Sequence, residues 1–248
     1  MSRVDIVERN RLLAALPPQE YSRLIAAAQI VQLEAGQQLA SPDRGFARVY
    51  FPRRGVVSLL VLMDENKTVE CASIGNEGIV GLDVFLGDDM PRDIVLVQVA
   101  GEAVAISVTD FRTLSAANML CQELLQRYSV ALMNQIARTA GCNRMHTVTE
   151  RCARWLLMTL DRVGRDDFAM THDFLARMLG VRRASVSEAA ESLQEHGLIH
   201  YRQGRIRVLN RERLEAASCE DYRLSKEGYD QIWARCRPAQ RLADRSLV

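Results

Sequence analysis

The sequence predicts an α+β chain built from an antiparallel β-roll, a long connecting helix and a C-terminal helix-turn-helix head with a β wing. Three observations carry that expectation. Residues 30–108 fall into short β-rich runs cut by turn formers. Residues 109–141 read as helix without a strong breaker and are apolar on two faces. Residues 171–209, THDFLARMLGVRRASVSEAAESLQEHGLIHYRQGRIRVL, read as two short amphipathic helices, a tight turn and a two-stranded hairpin.

In chain order, residues 5–28 look helical, with a restart at Pro17-Pro18, where proline suits a first turn. The β-rich runs follow at 47–51, 56–62, 68–74 and 94–99. The breaks between them include Arg54-Gly55, 64–67 and Gly75-Asn76, and the spacing fits a barrel or roll. Thr109 or Asp110 opens the long helical stretch. Its apolar residues Leu124, Leu125, Tyr128, Leu132 and Ile136 are too many for one stripe. One face can pack on the roll; the other needs a second cover, either the interior of the same chain or the same helix of a second copy. Residues 149–163 read as a further helix under the head, and the tail after Asn210 as one or two helices with a frayed polar end.

The head has fixed internal spacing. Thr171 is a plausible N-cap for Phe174, Leu175, Met178 and Leu179, and Gly180 ends that helix. A second run, Val186, Ala189, Ala190 and Leu193, closes at Gly197. Counting His172 as first puts Ala176 fifth, Gly180 ninth and Val186 fifteenth. Those slots need a small residue, a turn former and an apolar wedge. Arg182 and Arg183 stand at the start of the second helix, where the helix dipole disfavours cations. A phosphate or a guanine edge would repay that placement. Ser185, Ser187 and Glu188 share the opening turns and, with Thr171, are expected among the DNA contacts. The hairpin 201–208 turns at Gln203-Gly204, with Arg202, Arg205 and Arg207 near its tip.

Of 248 residues, 32 are basic and 31 acidic, yet the charges are split. Residues 1–110 hold 10 basic against 15 acidic side chains, a net of −5, and residues 111–248 hold 22 against 16, a net of +6. This suits a sensing front and an anion-binding back. Six cysteines form no C-x-x-C pair, no signal-peptide core is present, and no apolar run reaches the roughly 18 residues of a membrane span. A cytoplasmic protein with reduced thiols and no membrane partner is expected, the cysteines acting as small apolar residues. No G-x-S-x-G, Walker loop or H-E-x-x-H occurs, and an enzyme is not expected. With no His before His146 and no Cys before Cys71, a cupin-type metal centre, haem ligation and an N-terminal iron–sulfur cluster are excluded; no cofactor or metal is expected.

The roll with its glycine-rich turn, the long helix and the winged head together resemble the Crp–Fnr superfamily of bacterial transcription regulators, over about residues 10–217. The resemblance is most specific in 171–209 and in 74–106, which matches the family's phosphate-binding cassette. It implies a cyclic-nucleotide-binding-like jelly roll over 1–110, a dimerisation helix over 111–145, a winged helix-turn-helix over 146–217 and a tail over 218–248. It also implies a homodimer on a palindromic operator in double-stranded DNA, an effector in the roll, and RNA polymerase as a candidate partner. Carried over, Gly81 matches the cassette glycine and Arg92 the phosphate-pairing arginine. Leu82 stands where nucleotide binders place a ribose-holding Glu, and Asp93 where they place Ser or Thr. The pocket is therefore expected to reject cyclic AMP, with Arg92 pairing Asp93, Asp88 or Asp89. Arg183 matches a guanine-contacting arginine, whereas Ala184 and Glu188 depart from the cyclic-AMP branch. The alternative reading is a small-molecule-binding regulatory module whose C-terminal head contacts protein instead of DNA.

Overall fold

The computed structural model describes residues 10–63 and 67–232; the expected helix at 5–9, the turn at 64–66 and the polar end past 232 lie outside the described residues. The chain opens with α1 (Arg11–Ala14), capped by Asn10, and α2 (Pro18–Ala27), begun by Pro18. The roll comprises β1 (Gln29–Leu33), β2 (Gln38–Ala40), β3 (Arg48–Leu62), β4 (Thr68–Ile74), the short helix α3 (Leu82–Leu86) and β5 (Ile94–Ser107). All pairings are antiparallel in the order β1-β5-β3-β4, with β2 also on β5.

Arg54-Gly55 does not end a strand, as its turn-forming residues suggest. β3 runs through it with register shifts between Pro52 and Val57, bending where it crosses β5. The bend needs glycine on both sides. Gly55 sits at φ +90°, and a Cβ on Gly101 would lie 2.1 Å from the Arg54 carbonyl oxygen.

Ser107, two residues earlier than expected, caps α4 (Val108–Ala116). Asn118 then breaks the helical stretch and caps α5 (Met119–Met145), which runs straight through Gly141. α5 lays Leu124, Leu125, Tyr128, Ala131 and Leu132 on the roll, in one core with Val49, Val97, Ile106 and Phe111. A tail helix over 221–232 returns to α5, bringing Tyr229 against Tyr128 with ring centroids 5.9 Å apart.

Thr147 and Glu150 form a capping box for α6 (Val148–Val163). The head follows as β6 (Asp167–Ala169), α7 (His172–Leu179), α8 (Arg183–Glu195), β7 (Ile199–Arg202), β8 (Arg205–Val208) and α9 (Arg211–Ala216). Its wing has three strands, β6-β8-β7, one more than the hairpin alone. Leu156, Leu157, Phe168, Leu175, Val186, Leu193 and Ile206 form its core, which Leu60 and Leu96 of the roll also enter. Head and roll are thus packed as one body. Burying each such side chain contributes about 1.5–3 kcal/mol.

Candidate nucleic-acid interface

The head assembles as its spacing requires. The Thr171 side chain accepts from the Phe174 amide, Gly180 closes α7 at φ +62°, and Val186, Ala189, Ala190 and Leu193 point inward. Gly180 also packs on the roll, where a Cβ would stand 2.9 Å from Val69 Cγ2. The opposite face of α8 is open to solvent and exposes Arg182, Arg183, Ala184 and Glu188. No acid stands in its first turn. Arg183 approaches Asp173 Oδ1 through Nε at 3.4 Å, and the two side chains are 67% and 71% exposed. So exposed a pair is weak and leaves the guanidinium open to a stronger partner.

Two expected contacts are spent elsewhere. Ser187 Oγ lies 2.9 Å from His172 Nδ1, whose ring stacks on Tyr201 at 4.2 Å. Burial, and then the Arg183 charge, hold His172 below its ordinary pKa, which favours a neutral ring. Ser187 is therefore a fastener between α7, α8 and the wing, and Ser185 is only half-exposed beside it. Arg205 is bound to Asp167 across the wing, holding that carboxyl below its usual range. Arg202 and Arg207 are exposed and make no ion pair among the described residues. The His172 fastener was not anticipated, although a His at the motif's first slot was visible in the sequence.

The cassette holds its glycine turn, Gly81 at φ +96° leading into α3, but its expected polar partners differ. Leu82 is buried in the roll core. Asp93 accepts from the Leu62 amide at 3.2 Å, Asp88 from Met90, and Asp89 pairs with Arg112 at 3.4 Å. The expected pairing of Arg92 with these acids does not form; each already has a nearer donor, and Arg92 is exposed without an ion pair among the described residues.

Four of the five residues expected at a dimer interface are buried inside the chain. Leu124, Leu125, Tyr128 and Leu132 face the roll and the tail helix, and only Ile136 is exposed. The correction follows from helical phase: those four share the stripe that faces the roll. The solvent face carries Met119, Leu120, Val130, Met133, Ile136, Ala137 and Ala140.

Between roll and head runs a buried polar network that no local pattern announced. Arg162 on α6 donates to Glu77 at 2.8 Å and to the Ser73 carbonyl, with both charged side chains under 10% exposed. Glu70 accepts from Trp155 Nε1 at 3.0 Å. The Ser58 hydroxyl lies 2.6 Å from Glu70 Oε2 and 2.8 Å from Gln98 Oε1, while Gln98 donates to Thr159. Ser58 has one proton and two acceptors, so either a protonated Glu70 donating to Ser58 or a reversed Gln98 amide completes the chain. Burial pushes the Glu70 carboxyl up to about 7.

Residues 150–217 match the Crp-like helix-turn-helix domain family. No curated protein is significantly similar to the chain in sequence. Among solved structures, FixK2 from Bradyrhizobium japonicum is similar at 17% identity and a TM-score of 0.65, over 77% of this chain and 98% of its own. The c-di-GMP responsive global regulator CLP from Xanthomonas campestris is 18% identical with a TM-score of 0.61, over 78% and 100%. A CRP-family transcriptional regulator from Thermus thermophilus is 17% identical with a TM-score of 0.62, over 76% and 96%. Residues 150–217 therefore form a Crp-like helix-turn-helix domain, and the chain as a whole has the fold of the Crp–Fnr family of transcription regulators.

Proposed function

We propose that this DNA-binding transcription regulator acts as a homodimer that reads a palindromic operator. The observation that carries the reading is the outer face of α8, where Arg182 and Arg183 stand exposed at the positive end of the helix dipole with no first-turn acid. Arg183 suits bidentate contact with a guanine, and Arg202 and Arg207 of the wing suit phosphates. The exposed stripe of α5 supports pairing with a second copy: Val130, Met133, Ala137 and Ala140 recur at alternating three- and four-residue steps. Two heads related by that axis would meet half-sites about 10 bp apart.

A cleft of about 580 Å³ lies between the roll's bend and the end of α6, lined by Arg54, Gly101, Arg162 and Arg165 among others. A signal held there would touch both roll and head and bias the head's position, provided it binds one arrangement better. On this reading cyclic AMP and cyclic GMP are not the effector, since the cassette offers no ribose acceptor at Leu82. A cytoplasmic location and contact with RNA polymerase fit the same role.

Selection of binding sites from random duplexes, followed by binding at several salt concentrations, tests the reading. A shared palindrome and an affinity falling steeply with salt are expected. A head that bound protein instead would enrich no sequence. Val130→Glu with Met133→Glu should give folded monomers that bind the operator weakly; a stable dimer in sedimentation would place the interface elsewhere.

A further inference from the structure

Cys142, His146, Cys219 and Asp221 come together where α5 ends and the tail helix begins, their ligand atoms all within 4.8 Å of one another. Cys142 lies in the last turn of α5 and His146 is its extended C-cap, tied back by its amide to the Cys142 carbonyl at 3.1 Å. Cys219 and Asp221 flank Glu220 at the opening of the tail helix, just past the residues that match the helix-turn-helix family. Both cysteines are buried, and the Asp221 and His146 side chains are only 8% and 17% exposed.

We propose that these four residues form a metal site for a borderline-soft dication of the zinc class, clasping the end of the long helix to the start of the tail helix. Two thiolates, an imidazole and a carboxylate are a ligand set that such an ion takes in closed tetrahedral sites. The sulfur atoms stand 3.4 Å apart. A disulfide needs about 2 Å, whereas two sulfurs on one tetrahedral zinc lie about 3.8 Å apart. Closing the remaining pairs onto an ion requires movements of about 1 Å.

The surroundings have what a ligated site needs. His146 Nδ1 is buried without a hydrogen-bond partner, 3.5 Å from Asp221 Oδ2, and is therefore the nitrogen free to ligate. Its Nε2 faces the Glu220 carboxylate at 3.3 Å, an outer partner that fixes the ring and raises its basicity. Arg138 donates to Asp221 Oδ1 at 3.0 Å and leaves Oδ2 to the ion. Ligation by the two thiols releases their protons, so affinity should fall as pH falls.

The clasp lies at the joint where α5 gives way to α6, and it anchors the helix that brings Tyr229 to Gln135 at 2.9 Å. A bound ion would thus stiffen the attachment of the head. The inference stands whether or not the chain reads an operator.

The test uses the full chain without an affinity tag, stripped by chelator, kept reduced and titrated with Co²⁺. One equivalent per chain should bind with visible ligand-field bands and a near-ultraviolet thiolate charge-transfer band, and Zn²⁺ should displace it. Cys142→Ser and Cys219→Ser should each lower affinity at least tenfold and weaken the charge-transfer band, Glu220→Gln about tenfold, and Cys71→Ser not at all. Circular dichroism checks that each variant is folded, and Asp221→Asn offers a variant with both thiols intact. Absence of the charge-transfer band in the reduced wild-type chain would overturn the proposal, as would its persistence in the Cys142→Ser/Cys219→Ser double variant.

Discussion

Two groups of arginines lie within a few turns of each other and do opposite things. On α6, Arg151, Arg154 and Arg162 are buried, and each donates inward, to the Leu179 carbonyl, to Thr139 and to Glu77 respectively. On α8 and the wing, Arg182, Arg183, Arg202 and Arg207 are exposed, and Arg183 alone has a carboxylate, itself exposed, at 3.4 Å. A charge count treats both groups as one basic half. The acceptors divide them: in the inner group Arg162 fastens α6 to the roll, Arg154 to α5 and Arg151 to the end of α7, and only the outer group has donors to spare for a phosphate or a base edge.

The largest expected effect tests the inner group. Arg162→Leu would leave Glu77 as a buried charge without its partner, a change that costs about 3–5 kcal/mol. Denaturant unfolding should show that loss, and a loss below about 1 kcal/mol would mean that the pair is solvated. Glu70→Gln comes next and is a matter of pH. An acid whose folded pKa is raised from an ordinary 4.5 to about 7 favours the folded state while protonated. Its contribution is full below pH 4.5 and is lost as pH rises through about 7, on the order of 3 kcal/mol in all. Thermal melts of the wild type should show that decline, and Glu70→Gln should remove this group's share of it. A variant whose melts keep the wild-type slope would assign the decline to other groups.

The outer group should behave inversely. Arg183→Ala is expected to cost about 1–3 kcal/mol on the selected operator and to relax one base position, with stability unchanged within about 0.5 kcal/mol. Equal losses on selected and random duplexes would remove the base contact from Arg183. Arg207→Ala should weaken all duplexes alike and lower the salt slope by about 1. Arg205→Ala should do less, because that guanidinium is already committed to Asp167.

The head was readable in the sequence because its determinants are local. A cap, a glycine turn, a 3.6-residue period and the Gln203-Gly204 turn all act within a few residues, and Gln203 does adopt φ +50°. The joint was not readable. Arg162 meets Glu77 across 85 residues and Cys142 meets Cys219 across 77, so nothing in either neighbourhood marks the partner. For the same reason six scattered cysteines suggested only apolar packing. The two faces of α5 were visible, but composition does not say which stripe the roll and the tail helix will cover, and they cover Leu124, Leu125, Tyr128 and Leu132.

The smallest expected effect is none at all, and it concerns a third arginine. Arg92 occupies the position that pairs with the cyclic phosphate in the family resemblance, and it is exposed and without an ion pair among the described residues. A free arginine there argues for binding, so the case against rests on its neighbours. Leu82 lies in the roll core and has no acceptor for a ribose hydroxyl, which if buried unpaired costs about 1–3 kcal/mol. Asp93 is held beside Arg92 by the Leu62 amide. A phosphate about 4 Å from that carboxylate would be opposed by up to about 4 kcal/mol at a surface-like dielectric, less with screening. Either cost exceeds what one exposed arginine returns, since surface ion pairs contribute about 0–1 kcal/mol. Calorimetry with cyclic AMP and cyclic GMP at millimolar concentration should therefore show no saturable heat, and operator affinity should not change. Micromolar binding that tightens the operator complex would mean that the roll takes the nucleotide in a register other than Gly81–Leu82–Arg92–Asp93. Leu82→Glu separates the two costs: if the missing acceptor dominates, that single change should bring weak binding into range, and if the carboxylate dominates, only Asp93→Ser should.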